Sequence, residues 1–222
     1  MRISVLGTGM AGRTLAGALA AAGHDVVVGT RDVDETAARA DVAEWVAGHA
    51  DVRLVALAEA GAHAEVLLNA TSGDGTLAAL QGAAEGATGL AGLVVVDVSN
   101  PLDFSAGFPP TLSVANTDSL GEQVQAAFPE ARVVKTLNTV NAQVMVRPGL
   151  LSGDHQVFVA GEDADAKAVV TGLLGDLGWP SSAVVDLGGI RGARATEMYL
   201  PLWLALMGEV GSPVFNIGIV RA

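Results

Sequence analysis

The stretch Arg2-Ile3-Ser4-Val5-Leu6-Gly7-Thr8-Gly9-Met10-Ala11-Gly12 sets a short apolar run directly against glycines at positions 7, 9 and 12. An alanine-rich, helix-compatible segment follows to Ala22, Gly23-His24 interrupts it, and a second apolar run spans Asp25 to Gly29. Strand, glycine turn, helix and strand in that order form a βαβ unit of the kind that opens dinucleotide-binding folds. Gly7 permits the tight turn, Gly9 lets backbone approach a pyrophosphate, and Gly12 lets the helix pack close to the strand. The N–H groups of the helix's first turn then face phosphate. The competing reading is a purely structural turn, since the chain holds 28 glycines. The flanking strand and helix, with a second strand at the right distance, favour the dinucleotide.

The end of the second strand bears on which dinucleotide. An NAD site carries an acid about 20 residues beyond the glycines to bind the ribose 2′-hydroxyl. Here the chain reads Val28-Gly29-Thr30-Arg31-Asp32. Arg31 suits a charge-assisted pair with a 2′-phosphate, and Thr30 adds a hydroxyl. Asp32 has two readings: a ribose acid one register late, or, with Asp34, the start of a helix running through Ala37, Val42 and Trp45. The residues favour NADP(H).

Composition narrows the field. The 222 residues, half of them hydrophobic, suit one generous domain or a domain with a small extension. A formal charge of −12 argues against nucleic acid and anionic membrane surfaces. Lys135 and Lys167 are the only lysines, so an anionic cofactor rests on backbone amides and a few arginines. The absence of cysteine excludes disulfides, thiolate chemistry and iron–sulfur ligation. The first residues do not resemble a signal peptide, and runs such as Tyr199 to Met207 fall short of the roughly 18 residues of a membrane span. The expected location is cytoplasmic.

Working outward, Val52 to Ala56 reads as a third strand, followed by an Ala/Gly-rich link through His63 and a fourth strand, Glu65 to Asn69. The polar turn Ala70-Thr71-Ser72-Gly73-Asp74-Gly75 then sits at a strand's carboxyl end, where open α/β sheets place their cofactor crevice. A helix from Thr76 to Glu85 leads to the buried-type strand Leu93 to Val98. Ser99-Asn100-Pro101-Leu102 ends that strand, and the long connection that follows, to about Asp118, suits a lid or a wall of a site. Asp118 or Ser119 caps a helix to Phe128, and Arg132 to Thr136 is a sixth strand. From Pro148 onward come a strand (Gln156 to Ala160), a helix (Asp163 to Leu177), a strand (Val184 to Leu187) and a last helix. That helix runs from Ala193 to Glu209, bent at Pro201. The expectation is an α/β, doubly wound, mostly parallel Rossmann sheet over residues 1–147, with a small C-terminal lobe over residues 148–222.

Catalytic groups are scarce. His24, His49, His63 and His155 form no metal-ligand spacing, and no Gly-x-Ser-x-Gly motif is present, so no metal site and no catalytic residue is assigned. Lys135 has two readings: proton donor in a carbonyl or imine reduction, or an ion pair at a strand end, which the residues favour. Without an acid or base, the natural chemistry is direct hydride transfer between two cofactors, with protein supplying position and polarity.

The stretches V-L-G-T-G-M-A-G, V-V-V-G-T-R-D, V-D-V-S-N-P-L and V-V-K-T-L-N-T-V-N-A, with Leu200 to Arg221, give the chain a specific resemblance. It resembles the NADPH-dependent F420 reductases, and is similar in pattern to the cytosolic domain of ferric reductases. The resemblance implies NADP(H) as cofactor and coenzyme F420 or a flavin as co-substrate. It places Gly7, Thr8, Gly9, Met10 and Ala11 around the pyrophosphate and Thr30 and Arg31 on the 2′-phosphate. Ala70 and Thr71 would lie along the cofactor, Asn100 and Pro101 near the nicotinamide, and Val140, Asn141 and Ala142 behind the ring. It also implies that the C-terminal lobe walls the acceptor cleft and joins in a homodimer. The chain departs from the family at Ser72-Gly73-Asp74, which lacks a bulky aromatic and histidine, and in its longer Leu102 to Asp118 loop. Met198, Tyr199 and Trp203 have two readings, facing a flat ring or packing in a core or dimer interface. Two alternatives stand beside the hydride-transfer reading: a reductase of a small carbonyl or imine, and a non-catalytic NADPH sensor.

Overall fold

The computed structural model describes residues 1–86 and 89–220; Arg221, the end of one quoted stretch, lies outside them. β1 (Arg2–Leu6) runs through Gly7 into α1 (Met10–Ala21) and on to β2 (Asp25–Thr30), which pairs parallel to β1 from Arg2↔Asp25 to Leu6↔Gly29. Two helices follow where one was expected: α2 (Val33–Ala38), capped by the Asp32 carboxylate accepting from Glu35 N at 2.8 Å, and α3 (Ala40–Ala47). Extended backbone at Arg39, φ −70 and ψ 125, separates them.

After β3 (Arg53–Ala56), the Ala/Gly-rich link proves to be a helix, α4 (Leu57–His63), before β4 (Val66–Asn69). Its small residues are the reason it was missed and the reason it forms. A Cβ on Gly61 would stand 1.8 Å from the Ala83 carbonyl oxygen, so α4 packs backbone to backbone on α5 (Thr76–Ala84). β5 (Val94–Asp97) precedes a hairpin, β6 (Leu102–Asp103) with β7 (Thr111–Leu112), inside the long connection. α6 (Leu120–Ala127) is capped by Ser119, and β8 (Arg132–Thr136) leads to α7 (Ala142–Val146). The chain ends with β9 (Val157–Ala160), α8 (Ala164–Asp176), β10 (Val184–Asp186), α9 (Ala193–Met198) and α10 (Leu200–Val210). The last two replace the single bent helix. Pro201 sits in the first turn of α10 rather than in a helix interior, where its missing N–H costs nothing.

Among the described residues, eight strands form one sheet in the order β10-β9-β8-β5-β4-β1-β2-β3. All neighbours are parallel except β8 and β9. The strand order reverses between β1 and β4, which opens a crevice at their carboxyl ends. Alternation along each strand makes two cores. Ile3, Val5, Leu68, Val96 and Val134 pack with α1, α7 and α8 on one face. Leu6, Leu67, Val95 and Val133 pack with α4, α5 and α6 on the other. The boundary drawn at residue 147 is crossed by this sheet, since Lys135 and Thr136 of β8 pair with Ala160 and Val159 of β9. The first core likewise contains Val134 and Val157 together. No helix among the described residues is long and apolar enough to cross a membrane.

Candidate functional site

The crevice at the carboxyl ends of the strands contains two adjoining cavities of about 730 and 690 Å³. They share the polar turn after β4, with Ala70, Thr71, Ser72 and Asp74 lining both. The smaller cavity lies over β1 and β2, the larger over the ends of β5 and β8.

The smaller cavity is built from backbone. Gly7 has φ +111, and a Cβ on it would lie 2.6 Å from the Ala70 carbonyl oxygen, while a Cβ on Gly12 would lie 2.1 Å from the Gly7 oxygen. Only glycine allows this turn and this helix approach. At Gly9 an added Cβ would meet nothing within 4 Å, so the backbone faces open space. No side chain caps α1, which leaves the N–H groups of its first turn for an anion. Thr30, Arg31 and Arg39 line the far end of the same cavity. Arg39 Nη1 donates to Thr8 Oγ1 at 3.1 Å, and its Nη2 pairs with Asp41 at 3.0 Å. The break between α2 and α3 thus brings a second guanidinium beside the glycine loop. Asp74, at the junction of the cavities, is held below the ordinary carboxylate range by the Ser72 hydroxyl, against the cost of desolvation, with backbone hydrogen bonds and the nearby Arg31 charge contributing. An uncapped helix, an open backbone cradle and two guanidiniums are a donor set that fits the phosphates of NADP.

Besides the shared turn after β4, the larger cavity is walled by Ala11 of α1, the Ser99-Asn100 turn, Phe104 of the hairpin loop, Asn138 to Asn141, and Leu200 with Trp203 of α10. Asn100 Nδ2 donates to the Asn138 carbonyl and Asn138 Nδ2 donates to Asn100 Oδ1, both at 2.9 Å, tying the exits of β5 and β8 together. Leu137, immediately before, is buried with φ +59, a conformation unfavourable for a branched side chain. That kink turns the chain out of β8 and into the crevice.

Beneath both cavities runs a buried polar row. Asn69, Asp97 and Lys135 are register partners on β4, β5 and β8 and share one face of the sheet. Thr71 Oγ1 donates to Asn69 Oδ1 at 2.7 Å, and Asn69 Nδ2 donates to Asp97 Oδ1 at 2.8 Å. Lys135 Nζ pairs at 2.8 Å with both Asp97 Oδ2 and Glu197 Oε1. Glu197, on α9, also accepts from Leu120 N and Gly121 N at the start of α6. Burial pulls the Lys135 ammonium's pKa down, but the two carboxylates outweigh it and hold it above the ordinary lysine value. Of its two readings, then, Lys135 takes the ion pair, sealed from the crevice with its side chain 0% exposed.

The other expected residues distribute as follows. Gly7, Thr8, Gly9, Thr30 and Arg31 line the smaller cavity, Ala11, Asn100, Val140 and Asn141 the larger, and Ala70 and Thr71 both. Met10 is exposed at the start of α1, while Pro101 and Ala142 are buried behind the cavity wall. Trp203 lines the larger cavity and stacks on Phe215 at 5.4 Å, whereas Met198 and Tyr199 do not reach it. None of the described histidines lines either cavity. Sequence reasoning missed Arg39, Asn69, Asp97 and Glu197. Asn69 and Asp97 carried a signal, as polar residues closing two otherwise apolar strands, whereas Arg39 owes its place to a helix break that the sequence reads as one helix. Glu197 carried none, because its partners are more than 60 residues away.

The model of the family of NADP oxidoreductases, coenzyme F420-dependent, matches residues 2–101. The crystal structure of a candidate F420-dependent NADP reductase from Arthrobacter sp. FB24 is 55% identical, covers 100% of both chains and superposes with a TM-score of 0.95. The F420-dependent NADP reductase of Methanothermobacter marburgensis is 27% identical over 99% of this chain and 97% of its own length. Rat metalloreductase STEAP3 is 28% identical over 91% of this chain, which spans only 38% of that longer protein.

Proposed function

Because this chain belongs to the family of coenzyme F420-dependent NADP oxidoreductases, we propose that it transfers a hydride between NADPH and coenzyme F420 or a flavin-type acceptor. The observation that supports this most is the pair of adjoining cavities. One has the donor set for a dinucleotide's phosphates, and the other has room and apolar walls for a second flat ring.

Thr30 and Arg31 bind the 2′-phosphate, and Arg39 adds a second positive charge once it leaves Thr8. The backbone of Gly7, Thr8, Gly9, Met10 and Ala11 binds the pyrophosphate. Ala70 and Thr71 lie along the cofactor, Asn100 and Pro101 stand near the nicotinamide, and Val140, Asn141 and Ala142 back the ring. NADPH supplies the hydride, whose electron pair reduces the acceptor while solvent supplies the acceptor's proton. The protein's part is to hold two rings face to face, which needs no side-chain acid. Lys135, the acid of the carbonyl or imine alternative, is buried with its protons committed to Asp97, Ser99 and Glu197. That burial supports direct transfer.

The same reading includes a homodimer. Of the eleven residues of α10, Leu200 alone is buried, while Leu202 and Val210 are more than half exposed. An apolar helix left this open is a contact surface.

NADPH added to the protein with oxidised coenzyme F420 is expected to bleach the deazaflavin absorbance. Tight NADPH binding with no reduction of deazaflavin or flavin would replace this reading with that of a sensor module.

A further inference from the structure

The buried row ends in an unequal balance of charge. Lys135 Nζ donates to Asp97 Oδ2, to Glu197 Oε1 and to the Ser99 carbonyl at 2.6 Å, which uses all three of its protons. The remaining partners of the two carboxylates are donors as well. Asp97 Oδ1 accepts from Asn69 Nδ2, Ser99 N and Ser99 Oγ, the last at 2.6 Å. Glu197 accepts from Leu120 N at 2.8 Å and Gly121 N at 3.0 Å. Among the described residues every hydrogen-bond partner of either acid is a donor, the pattern that carboxylate oxygens satisfy with their lone pairs. Two negative charges therefore face one positive charge, in side chains no more than 2% exposed.

The placement of this charge gives it a direction. The positive end of α6 offsets part of the charge on Glu197. Asp97 has only Lys135 and neutral donors. Through its two hydrogen bonds to Ser99, Asp97 stands directly behind the wall of the larger cavity, beside Asn100. In the dry interior such a charge is weakly screened and acts across the wall. A dihydronicotinamide is neutral and the oxidised ring is a cation, so the two forms differ in the property this charge selects.

We propose that the Asp97–Lys135–Glu197 cluster biases the site towards the oxidised, cationic nicotinamide, and so towards release of hydride from NADPH. The inference rests on the nucleotide assignment above and adds a preference that the fold by itself does not require. Asp97 and Glu197 are positioning residues for charge, acting through the wall without touching the ring.

The test is binding rather than turnover. Dissociation constants of NADP⁺, NADPH and 2′-phospho-ADP-ribose, which lacks the nicotinamide, are measured by calorimetry for the wild type, Glu197→Gln and Asp97→Asn. The wild type is expected to bind NADP⁺ more tightly than NADPH, on the order of three- to tenfold. In each folded variant that preference falls toward unity while 2′-phospho-ADP-ribose binds as before. A packing defect weakens both nucleotides together and leaves the ratio alone. An unchanged ratio in either folded variant overturns the proposal. Should neither variant fold, the wild type decides, since NADPH bound as tightly as NADP⁺ overturns it equally. Failure of 2′-phospho-ADP-ribose to bind the wild type would instead strike the nucleotide assignment, and the inference with it.

Discussion

Arg31 and Arg39 divide the work of choosing a nucleotide unequally. Arg31→Ala removes a charge-assisted contact worth roughly 1.5–3 kcal/mol, on the order of 10- to 150-fold in NADPH affinity, with NADH affinity unmoved. Arg39 is 46% exposed in its side chain and already shared with Asp41. Arg39→Ala is therefore expected to cost only roughly two- to fivefold, again for NADPH alone. Titration of both variants with both nucleotides checks this, and equal losses for NADH would contradict it. At Gly12 the demand is steric. Gly12→Ala is expected to lower the melting temperature, because its Cβ has the Gly7 oxygen 2.1 Å away and backbone on both sides cannot yield cheaply. Single residues were legible in the sequence where the need was local, as with the glycines, whose tasks are set by their neighbours. They were illegible where the partner was remote, as with Glu197.

Among elements, the sequence declared those with strong periodicity or a cap. β1 and β8 have the expected limits, and Ser119 and Asp163 cap α6 and α8 as such residues should. It concealed α4, because a helix of Ala and Gly has no contrast between faces until α5 lies against it. It also concealed how α9 is fixed. Two contacts join α9 to α6: Glu197 on the first backbone amides, and Arg194 on Glu122 through hydrogen bonds of 2.6 and 2.7 Å. The Arg194 contact holds the Glu122 carboxyl below its ordinary value of 4.5, with a Ser119 hydrogen bond assisting against desolvation. A depressed carboxylate contributes stability that is complete above its unfolded pKa and is lost as pH falls through its folded one. Melting temperature is therefore expected to fall as pH drops below about 4.5, and Glu122→Gln to flatten that acid limb. A variant with the same acid limb as the wild type would contradict this. Lys135→Met leaves two carboxylates buried without their cation and is expected to cost about 3–5 kcal/mol, read from denaturant unfolding.

At the scale of the molecule, a doubly wound sheet was readable from the alternation of strands and helices. That β9 and β10 extend the sheet was not, since the antiparallel pairing of β8 with β9 leaves no mark in either strand's composition. The exposed face of α10 is expected to make the protein dimeric in sedimentation analysis. Leu202→Asp, which puts a charge on that face, should shift it to monomer, and a wild type monomeric at high concentration would contradict the homodimer. Two adjoining cavities and the burial of Lys135 lead to one central claim, that hydride passes directly from NADPH to a ring beside it. The most direct test uses NADPH carrying deuterium at the transferring position of C4, with oxidised coenzyme F420, followed by mass spectrometry of the reduced deazaflavin. Direct transfer leaves the deuterium on the reduced deazaflavin; deuterium lost to solvent, or no reduction at all, would contradict the account.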